Sequence, residues 1–208
     1  VINKPCSIIG TNGRAQPYNT QAQLRLRGGA NSDMLTLAAS QVTIRDLTLS
    51  GNFPAQTATS RGLVINSGSN FFLLDELWVE TFNGSGIVVG TTASTISATI
   101  VNTMVNNNKG YGVEVTGGAT DLIISDCYVC QNGQSGILCS SGDLSVTSCH
   151  IWGNGTAGTG NCDGITFRAA GGCRVVNCYI ETQFHGAGIG YRSGSLKGHL
   201  VSGCDIWA

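Results

Sequence analysis

Seven stretches of the chain share one eight-residue alternation of apolar and polar positions. They are VTIRDLTL from Val42, FLLDELWV from Phe72, ATIVNTMV from Ala98, LIISDCYV from Leu122, LSVTSCHI from Leu144, CRVVNCYI from Cys173 and HLVSGCDI from His199. Their fifth positions (Asp46, Glu76, Asn102, Asp126, Ser148, Asn177, Gly203) are separated by 30, 26, 24, 22, 29 and 26 residues. All fourteen third and eighth positions are Val, Ile or Leu, although those types make up only 46 of the 208 residues. Between successive stretches stands a glycine followed by alternating apolar residues: Gly62-Leu-Val-Ile, Gly86-Ile-Val-Val, Gly112-Val-Glu-Val, Gly136-Ile-Leu-Cys, Gly164-Ile-Thr-Phe and Gly188-Ile-Gly-Tyr. Each repeat therefore carries two short strands joined by a bend, then a variable loop and a third strand. Strands this short do not offset their own ordering entropy, so neighbouring repeats must stack. Parallel stacking brings equivalent residues ~4.8 Å apart. The pattern predicts an all-β protein, a single-stranded parallel β-helix forming one domain over residues 1–208. Counting a partial first turn around residues 6–10, about eight turns would rise roughly 38 Å.

Successive side chains of a strand point to opposite faces. Positions one, three, six and eight are expected inside, and two and seven outside. The fourth and fifth positions form the bend, where Asp46, Asn102, Asp126 and Asn177 are expected to bond neighbouring backbone amides. The sixth position runs Leu47, Leu77, Thr103, Cys127, Cys149, Cys178, Cys204, which predicts a packed thiol column, since unpaired cysteine behaves as a small buried hydrophobe. The same alternation turns Cys6, Cys139 and Cys173 inward and leaves Cys130 at a turn and Cys162 in a loop. A Cys130–Cys162 bridge between adjacent turns is one alternative for that pair. Cys127 and Cys130 have the CxxC spacing, but no second CxxC accompanies them, so no metal site is expected. No cofactor is expected either.

Composition narrows the function. Glycine supplies 30 residues, charged residues only 11%, and the formal charge is −1. No basic surface argues for nucleic acid. Residues 81–108 are uncharged, yet Gly, Ser, Thr and Asn interrupt them too often for a membrane span. No targeting segment is visible, and a first residue other than Met suggests a processed or partial chain.

The outward seventh position reads Thr48, Trp78, Met104, Tyr128, His150, Tyr179, Asp205, with Trp152 and Trp207 just past strand ends. Sugars present C–H faces that stack on aromatic rings, so Trp78, Tyr128, His150 and Tyr179 are candidate substrate-binding residues. Packing against a subunit or under loops is the rival reading. Outward Leu73, Ile123 and Leu200, and Val64, Val88 and Leu138 on the third strand, form apolar stripes that a lone soluble helix would not expose, so an oligomer is expected. Glycoside cleavage usually takes two carboxyls at short separation. Of Glu80, Glu114, Asp163, Glu181 and Asp205, the pair Glu181 and Asp205, on adjacent turns beside His150 and Tyr179, is the catalytic candidate. His185 lies in a loop, His199 is expected to face inward, and Asn83-Gly-Ser and Asn154-Gly-Thr match the glycosylation sequon.

The opening INKPCSIIGTNG, followed by LRLRGG, DMLTLAA and VTIRDLTLSGN, resembles the early turns of pectin-lyase-like right-handed β-helix proteins, closest in character to bacteriophage tailspikes. The resemblance implies a right-handed β-helix from a virion protein outside the cell. It implies a homotrimer that meets other virion proteins, binds a host cell-surface polysaccharide and, where carboxylates pair, depolymerises it. Of the polygalacturonase motifs only Phe184-His185-Gly186 has a fragmentary counterpart, and DD and RIK are absent. The alternatives are a purely structural virion module and a secreted carbohydrate-active lyase or hydrolase.

Overall fold

The computed structural model describes residues 1–11, 22–66, 68–90, 97–117, 121–158, 162–168, 171–193 and 198–207. Its strands form three parallel sheets of eight, eight and seven strands. The first sheet runs from Cys6–Ile9 to Leu200–Ser202, the second from Ala22–Arg25 to Asp205–Trp207, and the third from Leu35–Leu37 to Ile189–Ser193. Each coil contributes one strand to each sheet, giving seven complete coils and a two-strand eighth.

The register is the one the alternation requires. Third positions pair in sequence from Ile44 through Leu74, Ile100, Ile124, Val146 and Val175 to Val201. Eighth positions pair from Leu49 through Val79, Val105, Val129, Ile151 and Ile180 to Ile206. All are buried except Val201 and Ile206, which are exposed on the last described coil. Cys6, which the alternation had placed inside, is exposed on the first described coil. At the C-terminal end of the described stack the His199 ring lies 5.4 Å from Phe167 and 5.3 Å from Tyr191.

Two bends turn each coil, by different means. At the first, every fifth position adopts a left-handed conformation, from Asp46 at φ 59° to Gly203 at φ 63°. Asn and Asp tolerate that region better than most residues, which accounts for their frequency here. The expected side-chain bonds to backbone amides are not what stacks this bend. Main-chain N–H groups do so, with Asp46 donating to the Asp75 carbonyl, Asn102 to Ser125 and Asp126 to Thr147. At the second bend an internal ladder of amide side chains does the work. Asn108, Asn132 and Asn154 are almost wholly buried. The Asn132 Oδ1 accepts from the Asn108 backbone N–H at 3.2 Å and from Asn108 Nδ2 at 3.0 Å, while Asn132 Nδ2 donates to the Val105 carbonyl at 3.1 Å. Asn154 repeats this one coil on, and Gln183 supplies the next acceptor. Burial of Asn154, whose amide nitrogen is spent on the Val129 carbonyl, removes its sequon from reach in the folded chain.

The thiol column is present. Cys127, Cys149 and Cys178 are buried, and their thiols donate to the Ile100, Ile124 and Val146 carbonyls of the preceding coil. Cys130 lies in the strand Tyr128–Cys130, is buried rather than placed at an open turn, and carries a free thiol, so no Cys130–Cys162 bridge exists. Burial pushes its pKa up to about 12. Thiolate, not thiol, is the nucleophile. Maleimide at neutral pH is therefore expected to label Cys6 in the native protein, and Cys127, Cys130, Cys149 and Cys178 only after unfolding. Mass spectrometry of the labelled peptides checks this, and equal labelling of all five in the native state would contradict it.

The third sheet corrects one expectation. Val64, Val88 and Leu138 point outward yet are only 3, 2 and 3% exposed within the single chain. The corner leading into this sheet folds over its outer face. Ser85 donates to Glu114 at 2.7 Å, and the Ser135 and Thr166 hydroxyls lie 2.7 Å apart. Asp163, also expected outside, is wholly buried and bonded by Thr166, the Ala187 N–H and the Arg192 guanidinium. This stripe therefore needs no subunit to cover it.

Candidate functional site

The outer face of the second sheet is built from the seventh and ninth positions of each repeat. Parallel register stacks Trp78, Met104, Tyr128, His150, Tyr179 and Asp205 in one column. A second column beside it carries Cys130, Trp152, Glu181 and Trp207. Three coils of these columns form a continuous aromatic surface. Ring centroids lie 5.9 Å apart for Tyr128 and His150, 4.9 Å for His150 and Tyr179, and 4.3 Å for His150 and Trp152. Trp152 meets Tyr128 edge-on at 5.9 Å. Tyr128 is 50% and Tyr179 38% exposed, so both side chains are partly open to solvent. Trp78 stands two coils away from Tyr128, half-buried, its Nε1 donating to Asn106 Oδ1 at 2.7 Å.

A groove of about 330 Å³ runs between this column and the first bend. Tyr128, His150 and Tyr179 form one wall; Asp126, Ser148 and Asn177 form the other. The left-handed bend conformation is what turns that second set of side chains toward the same side as the seventh position. Sequence reasoning found the aromatic wall but assigned the bend residues a purely structural role. Their signal was available, since the fifth and seventh positions of one repeat flank a single sharp turn.

Glu181 sits at the edge of the aromatic surface. His150 Nε2 lies 3.0 Å from its Oε1, and the Tyr179 hydroxyl donates to its Oε2 at 3.0 Å. Those two bonds, His150 first, hold the Glu181 pKa below the usual glutamate range. The Tyr179 pKa moves up, chiefly because its hydroxyl is bonded to that carboxylate. The structure thus brings Glu181 together with His150 and Tyr179. Asp205 pairs in register with Tyr179 on the last, most exposed coil, and among the described residues no bond links it to Glu181. A carboxyl held ionised suits a base or nucleophile rather than a general acid.

The sign of the linkage is fixed by the direction of the shift. A depressed folded pKa makes the contribution of Glu181 present above the ordinary glutamate pKa of ~4.3 and lost only as pH falls through the lower folded value. A carbon-13 titration of the Glu181 carboxyl should give a midpoint below the ordinary range. His150→Phe and Tyr179→Phe should each move it upward, and an unshifted midpoint in either variant would remove that bond from the account.

The remaining candidates are placed elsewhere. Glu80 is half-buried on the same sheet, its pKa raised chiefly by desolvation. Glu114 is held by Ser85 under the third-sheet corner. His185 is exposed and pairs through its backbone with Cys162. Asn83 donates its side-chain amide to the Ala58 carbonyl. Among the described residues no group of three or more His, Cys, Asp or Glu could hold a metal ion.

Three parallel sheets wound into one stack define a parallel β-helix. The chain belongs to the right-handed β-helix family, whose model, described as the right handed beta helix region, matches residues 35–208. No curated protein matches the sequence. Among solved structures it is similar to pectate lyase Pel9A, at 13% identity and a TM-score of 0.50, over 98% of this chain and 67% of that one. It is also similar to the A-modules of the mannuronan C-5 epimerases AlgE4 and AlgE6 of Azotobacter vinelandii. Those are 12 and 13% identical, with TM-scores of 0.41 and 0.40, over 89% of this chain and 76 and 80% of the modules. At these identities the likeness is one of fold.

Proposed function

We propose that the protein binds a polysaccharide lengthwise along the outer face of its second sheet, as the host-recognition surface of a tailspike-like virion protein. The aromatic column with its polar groove carries this reading. Tyr128, His150 and Tyr179 span about 10 Å at ~4.8 Å per coil, a length that seats about two sugar rings. Aromatic side chains with a polar tip supply large contact area while their hydroxyls bond the ligand. The opposite wall offers a carboxylate, a hydroxyl and an amide to the sugar hydroxyls. The chain's likeness in fold to a pectate lyase agrees with a carbohydrate-active role. Where cleavage accompanies binding, Glu181 acts as the base or nucleophile and Asp205 is the partner acid. The homotrimer of this reading meets on the first sheet, where Ile123 and Leu200 stay 44 and 48% exposed.

Binding to capsular or lipopolysaccharide fractions of host bacteria tests the proposal. Tyr128→Ala and Tyr179→Ala should each weaken retention by ~tenfold, the usual scale for truncating an aromatic anchor. Retention unchanged by both substitutions would place the glycan elsewhere.

A further inference from the structure

Resting on that reading, we infer that the glycan is neutral or amino-bearing, and that the site rejects polyuronates. The charges around the groove are all of one sign. Asp126 stands exposed on one wall, Glu181 is held ionised beside the other, and Asp205 follows Tyr179 in register. Among the described residues no Lys or Arg lines the groove. Among the described residues, the basic side chains of the first and second sheets lie elsewhere. Arg45 pairs with Asp46 at the first bend, and Arg25 donates to Asn52 at the far end of the second sheet. Arg174 lines a separate groove on the first sheet, between Asp121 and Asp143. His150 is the only residue of the column able to carry positive charge, and its Nε2 already faces the Glu181 carboxylate.

A polyuronate would bring one carboxylate per sugar against these acids with no cation to receive it, and like-charge juxtaposition is a strong discriminator between ligands. The groups that remain, Ser148, Asn177 and the Tyr128 hydroxyl, are those that bond hydroxyl groups. An amino sugar would gain the same contacts and meet Asp126 as a counter-charge. The specificity is thus opposite to what a pectate lyase fold alone would suggest.

The test is retention of the full chain on immobilised galactomannan, chitosan, polygalacturonate and alginate at low and high salt. Galactomannan or chitosan should be held at least ~tenfold more strongly than either polyuronate at low ionic strength, with the gap narrowing as salt screens the acids. The double variant Asp126→Lys with Glu181→Gln should raise polyuronate retention by at least ~tenfold, the same discrimination reversed. Stronger binding of a polyuronate that is lost in Tyr128→Ala would overturn the inference while leaving the binding face in place. Retention of none of the four, nor of host polysaccharide, would overturn the binding face and the inference with it.

Discussion

Replacing Asn132 by leucine should destabilise the protein by about 2–5 kcal/mol, although the two side chains share one branched arrangement of four heavy atoms. Asn132 is fully buried at the corner between the second and third sheets. Its Oδ1 accepts from the Asn108 backbone N–H, and its Nδ2 donates to the Val105 carbonyl and to Asn154 Oδ1. Leucine leaves the Asn108 N–H and the Val105 carbonyl buried without those partners, and each orphaned group costs about 1–3 kcal/mol. Because each coil touches only its neighbours, the loss falls on one interface of the stack and should broaden or split the unfolding transition. Denaturant unfolding followed by circular dichroism reads both effects. Asn102→Gly is the control at the other bend, where φ is 50° and the side chain is exposed, and it should stay within about 0.5 kcal/mol. Equal effects at the two positions would contradict the division of labour between the bends.

Gly112→Val should be at least as damaging. A Cβ on Gly112 would lie 2.6 Å from the Gly136 carbonyl oxygen, 2.6 Å from Val129 Cγ1 and 2.8 Å from Asn132 Nδ2. That carbonyl cannot yield, because it accepts the Val113 N–H at 2.9 Å in the ladder between coils. The clash recurs up the stack, with the Gly164 carbonyl 2.8 Å from a Cβ on Gly136 and the Gly188 carbonyl 2.6 Å from one on Gly164. Overpacking of a tight core costs about 1–3 kcal/mol even where neighbours can shift, and here one neighbour is backbone. Soluble yield and melting temperature should both fall sharply. A variant that melts with the parent would mean that the coils are spaced more loosely than the glycine column requires.

Both substitutions show where the fold was legible from sequence and where it was not. The glycine column was visible as a recurring punctuation before each third strand, and the third and eighth positions revealed the register because a period of two repeated through seven coils leaves one consistent stack. The interior amide ladder was hidden. Asn108, Asn132 and Asn154 are polar residues in loops of unequal length, and the ladder ends in Phe82 and Gln183, so no single residue type marks it. Outward did not mean exposed at Val64, Val88 and Leu138, because alternation says which way a side chain points and nothing about what folds over it. Inward did not mean buried at Cys6, Val201 and Ile206, which stand on the first and last described coils, because alternation gives direction and not cover. At the candidate site the aromatic wall was legible as a seventh-position column. The repeat spacing also placed Glu181 beside His150 and Tyr179, but the bonds that join them depend on side-chain reach, which spacing does not encode.

A crystal structure of the chain with a neutral oligosaccharide bound tests the glycan-binding account most directly. Sugar rings should lie across Tyr128, His150 and Tyr179, with their hydroxyls turned toward Asp126, Ser148 and Asn177. An oligosaccharide seated instead on the first sheet, against Ile123 and Arg174, would contradict it.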